Sequence, residues 1–124
     1  ATLTGACVVA LGYFTTGMMT SDETMATNLH NAGELSGDRV WRLPLWEDYK
    51  DHMKSDIADV KNISKGRDSG TITAAIFLQH FVKSTPWVHL DIAGTAFLKE
   101  SQFYKPKGGT GAGVRLIVEY LSSM

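Results

Sequence analysis

Two spacings of apolar residues alternate along this chain, and that alternation limits the folds open to it. Ala74, Phe77, Leu78 and Phe81 recur at i, i+3, i+4 and i+7, the repeat that gathers side chains on the core-facing side of a helix. Val88, Leu90 and Ile92 alternate with His89 and Asp91 between Pro86 and Gly94, the two-residue repeat of a strand with one dry face. Val114, Ile117, Val118 and Leu121 return to helical spacing after a glycine-rich loop. Helices interleaved with short strands bury their apolar faces in layers, so the pattern predicts an α/β fold with a central sheet flanked by helices.

The remaining segments fit that scheme. Ser21 can cap a helix that carries Asp22 and Glu23 in its first turn, Met25, Leu29 and Ala32 at helical spacing, and Gly37 as its stop. Trp46, Tyr49 and Met53 predict a further helix after Pro44, with Glu47, Asp48, Lys50 and Asp51 on its wet side. Ser64–Gly70 reads as a loop. Ala6–Leu11 and Gly17–Thr20 are short apolar runs whose periodicity cannot separate strand from helix; the expectation for both is strand and turn.

At 124 residues the chain suits one domain. Its 44% hydrophobic and 20% charged content is that of an ordinary globular sequence. A net charge of −1 supplies no basic field for a phosphate backbone, which argues against nucleic-acid binding. Cys7 stands alone, so no internal disulfide can form, and a reducing, cytoplasmic setting is expected. The apolar stretch from Cys7 to Met19 is broken by Gly12, Thr15, Thr16 and Gly17 and lacks a basic leader, which argues against a signal peptide or a membrane span. The chain opens on ATLTGACVVALG without Met and reads as starting inside an element, as a piece of something larger would.

Few residues suggest chemistry by themselves. His89 and Asp91 share a strand face, but a structural pairing is the better reading, with Asp91 hydrogen-bonded at a strand end and His89 against a helix. His30, His52 and His80 have no second ligand one turn away. Asp56 and Asp59, among Lys54 and Lys61, read as a solvated face. Gly108, Gly109, Gly111 and Gly113 follow Lys105 and Lys107 in the wrong order for a phosphate-binding loop, so a tight loop that allows close packing is expected. Ser69 lacks a nucleophile elbow and reads as a helix N-cap. Trp41, between Arg39 and Arg42, with Trp46 and Trp87, suits core or subunit contact.

Four strings carry more information together: ATLTGA at Ala1 to Ala6, GDRVWRLPL at Gly37 to Leu45, HLDIAG at His89 to Gly94 and KGGTGAGVR at Lys107 to Arg115. In that order and spacing they resemble the C-terminal catalytic region of the leucyl (cytosol) aminopeptidases, and the resemblance spans nearly all of residues 1–124. It implies part of a larger aminopeptidase catalytic domain that releases N-terminal amino acids from peptides. Two divalent metals, Zn or Mn, would activate a bridging water and polarise the scissile carbonyl, with bicarbonate as a possible base. By resemblance, Thr2, Leu3 and Gly5 line the substrate site, Leu3 through its backbone beside the bicarbonate, and Ala93 and Ala96 form the opposite wall of the pocket. Small residues there leave room for a leucine-sized group.

The family's metal ligands, catalytic lysine and bicarbonate-holding arginine lie in upstream segments that include NTDAEGR. No such string occurs among residues 1–124, so no catalytic residue and no metal ligand is assigned here, and the chain alone is expected to be inactive. Family members form homohexamers around an interior cavity, which would give the Trp and Arg surfaces a purpose. The alternative is a noncatalytic assembly or interaction module with the same fold.

Overall fold

The computed structural model describes residues 5–64 and 66–124. Its elements run α1 (Ala6–Leu11), β1 (Thr16–Met19), α2 (Glu23–Ser36), β2 (Val40–Arg42), a 3-10 segment (Glu47–Met53), α3 (Gly70–Gln79), β3 (His89–Asp91), β4 (Phe97–Leu98), β5 (Gly108–Gly109) and α4 (Val114–Ser122). The result is a mixed α/β fold with a small sheet between helices. β1 lies at the centre of a three-stranded sheet, order β2-β1-β3. It runs parallel to β2, Thr16 opposite Val40, and antiparallel to β3, Gly17 opposite Asp91. A parallel neighbour needs a crossover, and α2 is that crossover.

Helix α2 forms where the spacing predicts, with one shift at its start. Asp22, not Ser21, caps it by accepting the Met25 N–H at 2.8 Å. Gly37, at φ 69°, ends it in the left-handed turn that a side chain would resist. Its buried face presents Ala26, Leu29 and Ala32, and these pack with Met18, Val40 and Leu116 into the apolar core. Gly33 lets α2 approach β2 closely, because a Cβ there would stand 3.2 Å from the Asp38 carbonyl oxygen.

The pleat sends Gly17 to the opposite side from Met18. A Cβ on Gly17 would meet Cys7 Sγ at 3.0 Å and the side chains of Asp91 and Thr71 at 3.6 Å, so α1 and α3 cover this second face. The sheet therefore sits between α2 with α4 and α1 with α3.

Several expectations need correction. Ala6–Leu11 is helical rather than strand and turn. Gly5 and Gly12, both at positive φ, bound it, and the bonds Val9 N–H to Gly5 and Gly12 N–H to Val8 close its turns. Its buried residue is Cys7, whereas Val9 is 90% exposed. A six-residue run holds too few turns for its apolar spacing to decide the matter, and packing against Gly17 decides it instead.

The segment after Pro44 is a 3-10 helix with only Met53 buried. Its ion pairs, Lys50 with Glu47 and Lys54 with Asp51, are three residues apart, the spacing that eclipses side chains in that geometry. In α3 the buried face is Thr71, Thr73, Ala74, Ala75 and Ile76. Phe77 and Leu78 are half-buried, and Phe81 lies past the helix end and is exposed. Ser69 precedes α3 in a left-handed conformation and its hydroxyl caps nothing.

The stripe Val114, Ile117, Val118 and Leu121 on α4 faces outward, and Leu116 is the residue of that helix that enters the core. The glycine-rich loop is not closely packed: a Cβ on Gly108, Gly109, Gly111 or Gly113 would meet nothing within 4 Å. Positive φ at Gly111 and Gly113 is what glycine supplies there. The Gly113 N–H then donates to the buried Asp38 carboxylate at 2.6 Å, tying the start of α4 to the end of α2.

Candidate functional site

The turn that leaves β3 brings together three of the buried polar residues, Asp91, Thr95 and, from β1, Thr16. Asp91, its first residue, is 5% exposed, and its Oδ1 accepts the Ala93 N–H at 3.0 Å. The N–H groups of Thr95 and Ala96 both donate to Ile92, which closes a tight bend. Gly94 is buried at its apex, against the Gly12 carbonyl oxygen at the end of α1, and a Cβ on Gly94 would run into that oxygen. Thr95 bonds Thr16 hydroxyl to hydroxyl at 2.8 Å. Thr110 donates its hydroxyl to the Thr95 carbonyl and its N–H to the Ala96 carbonyl. A six-residue surface turn is thus held by α1, by β1 and by the loop before α4.

Three sequence-predicted pocket residues lie in the described part. Ala93 is exposed and Ala96 half-buried, both on this turn. Gly5 is half-buried at the N-terminus of α1, the helix whose other end meets Gly94 and whose Cys7 thiol lies 3.8 Å from the Asp91 carbonyl oxygen. Thr2 and Leu3 lie outside the described residues. Two open grooves occur elsewhere. One, of about 830 Å³, runs between α3 and the 3-10 segment beside Trp87, and the other, of about 1050 Å³, runs between α1 and α3. Neither is lined by Gly5, Ala93 or Ala96.

The electrostatics argue against a nucleophile here. Burial first, and the neighbouring Asp91 charge second, push the Cys7 thiol up, away from the thiolate that would react. His89 stacks on Trp87, ring centroids 6.2 Å apart. Burial holds its imidazole below the usual value, against the opposing pull of Asp91. Asp91 Oδ2 and His89 Nε2 have no hydrogen-bond partner among the described residues. Nor do any three His, Cys, Asp or Glu side chains among them come together where they could hold a metal ion. Thr16, Thr95, Thr110, Gly12 and Gly94 were not singled out from the sequence. The one signal they left was the glycine of the HLDIAG string and the threonine inside KGGTGAG.

On the surface, Trp41 and Trp46 are exposed and Trp87 half-buried. Arg42 forms a two-pronged ion pair with Glu23, both contacts 2.6 Å, and also holds the Thr20 carbonyl. That pairing lowers the Glu23 carboxyl and raises the Arg42 guanidinium. No helix among the described residues is long and apolar enough to cross a membrane.

Residues 1–118 match the model of the cytosol aminopeptidase family, catalytic domain. The chain belongs to the cytosol aminopeptidase family. A probable cytosol aminopeptidase of Geotalea uraniireducens is 56% identical over 124 residues, all of this chain and 25% of that protein. One from Geobacter sulfurreducens is 55% identical over 99% of this chain and 25% of its own length. Among solved structures, a mutant of tomato leucine aminopeptidase superposes with a TM-score of 0.89 at 39% identity, covering 98% of this chain and 23% of that one. The bottromycin maturation enzyme BotP, described in complex with Mn, gives 0.92 at 42% identity, covering 99% of this chain and 27% of its own. The chain spans about a quarter of the length of the aminopeptidases it matches.

Proposed function

We propose that residues 1–124 are the C-terminal portion of the catalytic domain of a cytoplasmic leucyl aminopeptidase, which releases N-terminal amino acids from peptides by two-metal-assisted hydrolysis. The observation that carries this reading is the family match over residues 1–118. Within it, this segment supplies the substrate pocket. Ala93 and Ala96 form one wall, where two methyl side chains leave space for a leucine-sized group, and Thr2, Leu3 and Gly5 are the other substrate-binding residues.

The metals, Zn or Mn, and a bicarbonate belong to the full-length protein. Their ligands lie in segments of that protein outside residues 1–124. The exposed Trp41, Trp46 and outward stripe of α4 are surfaces for a homohexamer, since aromatic and apolar side chains of that kind anchor subunit contacts.

The test compares two proteins. One is the 124-residue chain. The other is a chimera in which it replaces the matching quarter of the Geotalea uraniireducens relative. Each is assayed for release of a leucyl chromogenic amide with added Zn²⁺ or Mn²⁺. The chimera turns over and loses activity to a chelator, and the chain alone is silent. A folded but silent chimera would overturn the peptidase reading and leave a noncatalytic module. Chelator-sensitive turnover by the chain alone would show that its own side chains hold the metals.

A further inference from the structure

We propose that Asp91 and Gly94 are positioning residues for substrate selection: they set how deep the wall formed by Ala93 and Ala96 stands, and so which N-terminal side chains the pocket accepts. The inference rests on the reading of Ala93 and Ala96 as that wall. It goes beyond it in assigning the pocket's dimensions to two residues that lie behind the wall and do not line it.

The tethers argue for this. Surface turns are ordinarily the mobile parts of a fold, yet this one is fixed at nearly every residue. Asp91 holds Ala93 by its N–H. Gly94 is seated on the Gly12 carbonyl with no room for a side chain. Thr95 is bonded to Thr16 and Thr110, and Ala96 to the Thr110 N–H. A site that discriminates by size needs such support, because a wall that yields by a fraction of an ångström accepts the wrong side chain.

Asp91 is suited to hold its bond to Ala93: it is only 5% exposed, one carboxylate oxygen accepts the Ala93 N–H, and the other has no partner among the described residues.

The two residues act in complementary ways. Asp91 pulls the Ala93 backbone toward the end of β3, while the bare Gly94 lets the apex settle onto α1. Remove the first and the turn loosens; add a methyl to the second and the whole wall must shift off Gly12.

The test uses the chimera and measures kcat and KM on alanyl, leucyl and phenylalanyl anilides. For Asp91→Ala and Gly94→Ala the leucyl-to-alanyl ratio of kcat/KM is expected to change about tenfold, within what one mismatched methylene is worth in an apolar pocket. The change should sit in KM, with kcat on the alanyl substrate nearly intact. Asp91→Asn, whose side-chain oxygen can still accept the Ala93 N–H, should restore the ratio.

Amide exchange gives an independent readout: Ala93 N–H exchange should accelerate in Asp91→Ala and not in Asp91→Asn. Equal losses on all three substrates, or a lower melting temperature with an unchanged ratio, would overturn the positioning role. Ala96→Phe separates the premise from the inference, because it fills the wall through a side chain while the tethers at residue 96 are backbone bonds that it leaves in place. If Ala96→Phe leaves the ratio unchanged, the wall itself is misassigned. If it shifts the ratio while Asp91→Ala and Gly94→Ala do not, only the positioning role falls.

Discussion

On one face of the three-stranded sheet, α2 and α4 close over Met18, Leu29, Val40 and Leu116, an apolar core of ordinary make. On the other, α1 and α3 close over Gly17, with Cys7, Thr71 and Asp91 gathered around it. The first face is filled mostly by apolar side chains, with one close backbone approach at Gly33. The second also buries Met19, but two of its glycines stand where a side chain has no room: a Cβ on Gly70 would meet the Ala6 methyl at 2.9 Å, and one on Gly94 would run into the Gly12 carbonyl oxygen. The difference teaches that the two faces answer to different demands. Large apolar side chains yield stability per area buried, whereas close backbone approach fixes position at some cost in stability. The turn carrying Ala93 and Ala96 is held from both faces, by Gly94 on Gly12 at the second and by Thr95 on Thr16 and Thr110 at the first.

If that division is right, the largest single loss of stability should come from the apolar face. Leu29→Ala in the chimera should cost about 2–5 kcal/mol, transfer and cavity together, read as a lower denaturation midpoint, while selectivity among anilides stays unchanged. A selectivity change with Leu29→Ala would blur the comparison. Next is the tie between α2 and α4. Asp38→Ala removes the acceptor of the Gly113 N–H and should cost about 1.5–3 kcal/mol, the range for a bond to a charged group. Asp38→Asn should recover most of it.

On the second face, Gly17→Ala sets a methyl 3.0 Å from Cys7 Sγ and should cost about 1–3 kcal/mol by overpacking. Pairing it with Cys7→Ala should return at least half of that, and a double-mutant cycle with no coupling would show that the two do not share the space.

The smallest effect is a pH dependence. His89 is held below its ordinary value by burial, so as pH falls the unfolded chain takes up the proton first. Its contribution to stability is whole above about pH 6.5 and drains away below that, down to the folded-state pKa. Melting temperatures between pH 8 and pH 5 should fall less steeply in His89→Gln than in the parent.

Much of this was legible in the residues. The α2 stripe of Met25, Leu29 and Ala32 with its Gly37 stop, the short strand at His89–Asp91 and the helix from Gly70 follow from spacing, although neither Ser21 nor Ser69 caps its helix and Ile92 of the expected dry face is exposed past the strand. All are long enough, or sharply enough bounded, for local rules to decide them. The candidate pocket was legible only through the four strings shared with the family, because Ala93 and Ala96 carry no chemistry of their own. Of the polar side chains that do, Asp91 turned out to be a buried support of the turn, while the half-buried His89 stacks on Trp87.

The sequence by itself determined the α/β class, the layered helices and strands and the family, because periodicity and long motifs survive without knowledge of neighbours. Only the tertiary structure decided that Ala6–Leu11 coils, that the α4 stripe faces outward and that Phe81 is exposed. It also decided that Gly12, Thr16, Gly94 and Thr110 meet around one turn. The reason is the same in each case: an apolar pattern states that a face can be buried, while what buries it, and what stands too close for a side chain, depends on residues far away in the chain, as Thr16, 79 positions from Thr95, and Thr110, 15 positions from it, show.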